Sequence, residues 1–116
     1  MTLREFYGRI DGNADEVIYR IGDEDSAKDI LMMFPDDESF EQLQQSLGAH
    51  DYKTAFRAAH TLKGLSLSLD LRPLSAPAVE LTEQLRGGSP DPERTEELYS
   101  AVKDAVEEID GLIGQM

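Results

Sequence analysis

His60, Lys63 and Gly64 stand within five residues of one another. On a helix, positions three and four apart share a face, so these three would sit together. A solvent-facing neutral imidazole is a good nitrogen nucleophile near neutral pH. An imidazole that accepted a phosphoryl group would carry close to two negative charges. Lys63 at i+3 could then supply a charge-assisted contact to the phosphoryl oxygens, with Arg57 at i−3 as a second candidate. Gly64 lies one turn beyond His60, in the middle of a predicted helix, where glycine costs ~1 kcal/mol relative to alanine. A missing side chain there leaves the imidazole uncovered and lets another surface come close.

The segment that must position these residues is Tyr52–Leu69, YKTAFRAAHTLKGLSLSL. At ~100° per residue, Ala55, Ala59, Leu62, Ser66 and Leu69 fall on one stripe, flanked by Ala58 and Leu65, which makes that stripe the core face. Lys53, Phe56, Arg57, His60, Lys63, Gly64 and Leu67 gather on the other side. Phe56 and Leu67 would give a partner protein apolar surface to bury. The segment contains no acid and carries +3, whereas the chain as a whole carries −13, so the remainder carries −16.

Breakers divide the rest of the chain into helices, and no convincing strand is present. Asp11–Gly12–Asn13 is a turn. Asp25 and Ser26 are candidate N-caps for a helix through Phe34. Pro35 can open the next helix, with Asp36, Asp37 and Glu38 in its first turn, running to Leu47 and stopping at Gly48. The His60 helix follows from about Asp51 to Leu69. Another runs from about Pro73 or Leu74 to Leu85, with Pro77 in or near its first turn and able to delay its start. The last spans about Pro92 to Ile113. Connections of a few residues between long amphipathic helices make neighbours antiparallel. The expected fold is therefore all-α, an up-down-up-down four-helix bundle over residues 35–116, with short helices in residues 1–34 packed over it as part of one domain.

Composition narrows the function. With 116 residues, one domain is expected, and its core needs no disulfide or metal. Twenty-four Asp and Glu against 11 Lys and Arg exclude a nucleic-acid or anionic-membrane partner. At 40% hydrophobic and 30% charged, the chain is too apolar for a disordered acidic tail. It has no cysteine, hence no disulfide, thiol nucleophile or Cys-based zinc site. The N-terminus lacks a signal-peptide core, and the longest apolar run, Ile30–Phe34, is far short of a membrane span. A soluble cytoplasmic monomer is the expectation, and the start at Met1 together with a complete predicted bundle favours a free-standing protein.

Other constellations yield nothing. His50 sits in a turn as a solvated residue. With two His and no Cys, no transition-metal site is legible. Asp11–Gly12–Asn13–Ala14–Asp15 resembles the opening of an EF-hand loop, but Glu16 occupies the glycine position and Gly22 the terminal glutamate position. No P-loop, dinucleotide fingerprint or nucleophile elbow occurs. Met32 and Met33, beside Phe34, are expected to serve core or cap packing.

A lone helical histidine is ordinarily structural or merely solvated. Here the mid-helix glycine, the lysine at i+3, the local charge reversal and the four-helix spacing agree with one another. His60–Thr61–Leu62–Lys63–Gly64, within AAHTLKGLSLSLDL, resembles the His-x-x-Lys-Gly motif of histidine-containing phosphotransfer (HPt) domains, and the resemblance extends over about residues 26–110. The same motif occurs in the phosphoacceptor domain of chemotaxis histidine kinases. Leu65 stands where the family usually has a small residue, and Asp70 lies where it often has glycine. The resemblance implies that His60 is the phosphoacceptor, charged on Nε2 by a receiver-domain aspartyl phosphate and discharged to another receiver. Lys63 would be the electrostatic helper and Gly64 the clearance residue, with Lys53, Phe56, Arg57 and Leu67 meeting the partner. No cofactor is implied on this chain, since magnesium would belong to the receiver. No kinase activity is expected, because no ATP site is legible. The competing reading is a helical interaction module of the same fold without phosphotransfer; a buried His60 would favour it.

Overall fold

A computed structural model describes residues 1–116. The chain forms seven α-helices and no strand: α1 Leu3–Arg9, α2 Ala14–Ile21, α3 Glu24–Met32, α4 Ser39–Gly48, α5 Tyr52–Ser68, α6 Arg72–Leu85 and α7 Pro92–Ile113. A 3-10 turn, Phe34–Asp36, separates α3 from α4. Each of the last four helices packs most extensively on its neighbour in sequence, and Phe40 of α4 stacks on Tyr99 of α7, with ring centroids 6.0 Å apart. No helix is long and apolar enough to cross a membrane.

Several boundaries differ from the sequence expectation, each for a local reason. Asp23, not Asp25 or Ser26, caps α3. Its extended backbone places its carboxylate to accept from the Ser26 N–H at 2.8 Å, and Asp25 and Ser26 fall inside the first turn. The helix stops at Met32, and Pro35 serves the 3-10 turn rather than opening α4. α4 begins at Ser39 because Asp37 is extended and its carboxylate accepts from the Ser39 N–H at 2.8 Å. Pro77 does not delay α6. It sits inside a helix that starts at Arg72, held by the buried Leu74, Ala78 and Leu81 on either side of the missing N–H. Met32 and Met33 do not pack inward: α3 buries Ala27 and Leu31, while the two methionines are exposed beyond them.

The two helix ends that flank the His60 helix's connections use left-handed residues that are not glycine. After α4 the left-handed residue is His50 (φ 56°), and Gly48 is merely the last helical residue. After α5 it is Asp70 (φ 47°), with the Leu71 N–H returning to the Ser66 carbonyl at 2.8 Å. This is the 6→1 closure of a helix C-terminus, with an acid where glycine is commonest. The Asp70 carboxylate earns its place there. It accepts from the Asn13 N–H at 2.8 Å and pairs with Arg72 at 3.2 Å.

The same end of α5 anchors the N-terminal helices. The Tyr7 hydroxyl donates to the Leu69 carbonyl at 2.6 Å in a buried site. Arg20 donates to the Leu67 carbonyl at 2.9 Å and also to that of Ser68, a favourable cation at a helix C-terminus. Gly12 passes so close that an added Cβ would lie 2.9 Å from the Asp70 carbonyl oxygen. Leu3, Phe6, Tyr7, Ile10, Val17, Ala27 and Leu31 belong to the same buried cluster of 26 residues as the cores of α4–α7. The position and tilt of α5, and so of its exposed face, are set from both ends of the chain.

Candidate functional site

α5 is laid down by its cap and by its small-residue core face. The Asp51 carboxylate accepts from the Thr54 N–H at 3.2 Å. Hydrogen bonding to Thr54 holds Asp51 below the usual carboxylate range, so the cap is charged at neutral pH. Ala55, Ala58, Ala59, Leu62 and Ser66 are buried. Three alanines let α4 and α6 approach closely, which fixes the rotation of α5 about its axis.

That rotation turns His60 outward. The imidazole is exposed, and neither ring nitrogen has a hydrogen-bond partner within the chain. Its only close aromatic neighbour is Phe56, one turn earlier, with ring centroids 6.0 Å apart. Gly64 is exposed too. A Cβ built on it would meet nothing within 4 Å. Gly8, Gly48 and Gly111 are equally open but lie in the last turn of their helices, where the helical penalty is small. Gly64 alone occupies a helix interior with no demand from within the fold.

Phe56, Arg57, His60, Thr61 and Arg86 line one shallow open depression. The Thr61 hydroxyl is committed to the Arg57 carbonyl at 3.1 Å. Phe56 is half-buried rather than exposed: it packs partly against the core, and the Arg86 guanidinium from the end of α6 lies 5.1 Å from its ring centroid. Leu67 is exposed at 51%, and Lys53 is exposed, but neither lines the depression. Lys63 is half-buried on the side of α5 that faces Glu83.

Sequence reasoning missed Arg86 and Glu83. The two form a fork-to-fork ion pair, with Nη2 to Oε1 at 2.7 Å and Nε to Oε2 at 3.1 Å. Hydrogen bonding to Arg86 is the main cause that lowers the Glu83 pKa. The charges of Arg86 and Lys63 add to it, so the carboxylate is firmly ionised. A signal for this neighbourhood exists in the sequence. α5 and α6 meet at one tight turn, and Phe56 and Arg86 are nearly equidistant from it.

The arrangement can present a free imidazole nitrogen in a shallow, cation-rimmed recess, open to an approaching macromolecule rather than enclosing a small substrate. The model of the Hpt domain family matches residues 36–112. Neither a curated protein nor a solved structure matches the chain. The family match takes in α4 to α7 and the whole His60 surface, and the chain belongs to the Hpt domain family, the helical histidine-phosphotransfer modules of two-component phosphorelays.

Proposed function

We propose that His60 accepts a phosphoryl group from the aspartyl phosphate of a receiver domain and passes it to another receiver. The observation that carries this reading is the exposed, hydrogen-bond-free imidazole in a depression shared with Arg57 and Arg86. In the forward step a lone pair on the ring nitrogen forms the N–P bond in line with the breaking P–O bond. The electrons of that bond return to the receiver's carboxylate, and the proton on the other ring nitrogen leaves to water. Transfer onward is the reverse. Lys63 meets the added negative charge, and Gly64 gives the partner's acidic site room to reach the nitrogen. Lys53, Arg57, Phe56 and Leu67 form the docking face.

The magnesium ion that aspartyl-phosphate chemistry uses belongs to the receiver. Hpt domains are phosphocarriers without kinase activity, and on this reading the chain has no ATP site of its own. The bundle is antiparallel, up-down-up-down, with α1–α3 packed over it, and the protein works as a cytoplasmic monomer. The electrostatics support a receiver as partner. A small basic face is complementary to an acidic phosphorylation site, and the acidic remainder of a chain of net charge −13 repels acidic surface elsewhere.

The test is transfer from a phosphorylated receiver to wild type and to His60→Gln. Label that appears on the wild type, is lost in acid and is absent from the variant supports the reading. Equal labelling of both, or binding of the receiver that His60→Ala leaves unchanged with no label on either, favours an interaction module without phosphotransfer.

A further inference from the structure

Arg86 is engaged in the resting molecule, but not in a way that the fold requires. Its side chain is exposed at 55%, its ion pair with Glu83 is equally exposed, and the pair joins neighbouring turns at the end of one helix. An exposed pair of this kind contributes little to stability. Its geometry is more informative. Glu83 occupies the guanidinium fork through two parallel hydrogen bonds, the arrangement in which arginine also holds phosphate oxygens. The guanidinium rests over Phe56, whose ring neighbours that of His60, and Arg86 and His60 line the same depression.

We propose that Arg86 is a ligand of the phosphoryl group on His60, held ready by Glu83 and exchanged from the carboxylate to the phosphoryl oxygens when His60 is charged. This rests on His60 being the phosphoacceptor. Glu83 is then a competitor: it keeps the fork extended over Phe56 while the imidazole is free, and it opposes the charged state. The phosphoryl group enters the depression that Arg86 already borders. The other charged groups on this surface are Lys53, Arg57 and Lys63 of α5. Lys63 also faces Glu83, so release of Arg86 leaves that carboxylate with a cation partner.

The experiment charges the whole 116-residue chain with phosphoramidate, which needs no partner. The unprotonated ring nitrogen of His60 forms the N–P bond, the P–N bond of the donor breaks with its electron pair leaving on ammonia, and the proton on the other ring nitrogen goes to water. The phosphorus resonance of phospho-His60 is then followed against pH to give the midpoint of the phosphoryl group's last ionisation. Arg86→Gln is expected to raise that midpoint by about half a pH unit, a roughly threefold change in proton affinity, the order of one exposed charge contact. Glu83→Gln is expected to lower it by a similar amount, and Arg86→Lys to restore part of the loss. In the double variant the Glu83→Gln shift is expected to vanish, whereas a direct repulsion between Glu83 and the phosphoryl group would persist. Far-ultraviolet circular dichroism confirms that each variant is folded. An unchanged midpoint in Arg86→Gln, or a Glu83→Gln shift that survives without Arg86, overturns the exchange and leaves the phosphoacceptor reading intact. Absence of any resonance that His60→Gln removes refutes the phosphoacceptor reading itself, and this inference with it.

Discussion

Replacing Gly64 by alanine should push stability and function in opposite directions. The added methyl meets no atom within 4 Å, so it brings no clash. It also removes the backbone freedom that makes glycine costly in a helix interior, a gain of ~1 kcal/mol. At ~2.1 cal/mol/K of unfolding entropy per residue, a 116-residue chain unfolds with about 0.24 kcal/mol/K, so the melting temperature should rise by about 4 °C. The same methyl projects from the exposed face one turn beyond His60, and on the proposed clearance role of Gly64 it would hold an incoming receiver off the imidazole. A displacement of ~1 Å from in-line geometry costs about a hundredfold in rate. Thermal denaturation followed by circular dichroism gives the first quantity, and the rate of phosphoryl transfer from a charged receiver gives the second. Gly111→Ala is the control: equally open but in the last turn of α7, it should stabilise less and leave transfer untouched. A Gly64→Ala protein that melts higher and transfers at the wild-type rate would refute the clearance role. One that melts lower would refute the account of α5 as an unobstructed helix at that position.

Three further outcomes test other parts of the account. Tyr7→Phe leaves the buried Leu69 carbonyl without its 2.6 Å partner and should cost about 1–3 kcal/mol, read as a fall in urea midpoint at unchanged slope. Asp110 has one buried carboxylate oxygen without a partner, and burial, aided by nearby Asp36, raises its pKa above the usual 3.8. A raised folded-state pKa means that ionisation costs stability as pH rises through the interval above 3.8. Asp110→Asn should therefore be more stable than wild type at neutral pH, with the difference shrinking as pH falls towards 3.8, in urea titrations at the two pH values. A chain trimmed to residues 36–112 loses Leu3, Phe6, Tyr7, Ile10, Val17, Ala27 and Leu31 from the shared core and should lose cooperative unfolding, seen as a broad, sloping thermal transition.

The helices that carry the site were legible because strong local signals agree there. Asp51 and Asp91 cap α5 and α7, and both helices show an unbroken 3.6-residue pattern. The outward orientation of His60 follows from the same period, since Ala59 and Leu62 on either side of it must point inward. What sequence missed depends on backbone state or on tertiary register. Asp70 and His50 adopt left-handed backbone without being glycine, because a carboxylate reaching Asn13 and Arg72, or a tight connection into the next cap, compensates the strain. Asp23 caps α3 in place of Asp25 or Ser26, since acids close together offer equivalent candidates and only φ and ψ choose among them. Arg86 and Glu83 belong to another helix, and only the pairing of α5 with α6 brings them beside Phe56 and Lys63.

The central claim is that one of two histidines carries the phosphoryl group. It is tested most directly by charging wild type, His60→Gln and His50→Gln from the same phosphorylated receiver and counting acid-labile phosphate per chain. The account predicts one phosphate on wild type, one on His50→Gln and none on His60→Gln. Phosphate retained by His60→Gln, or lost from His50→Gln alone, would contradict it.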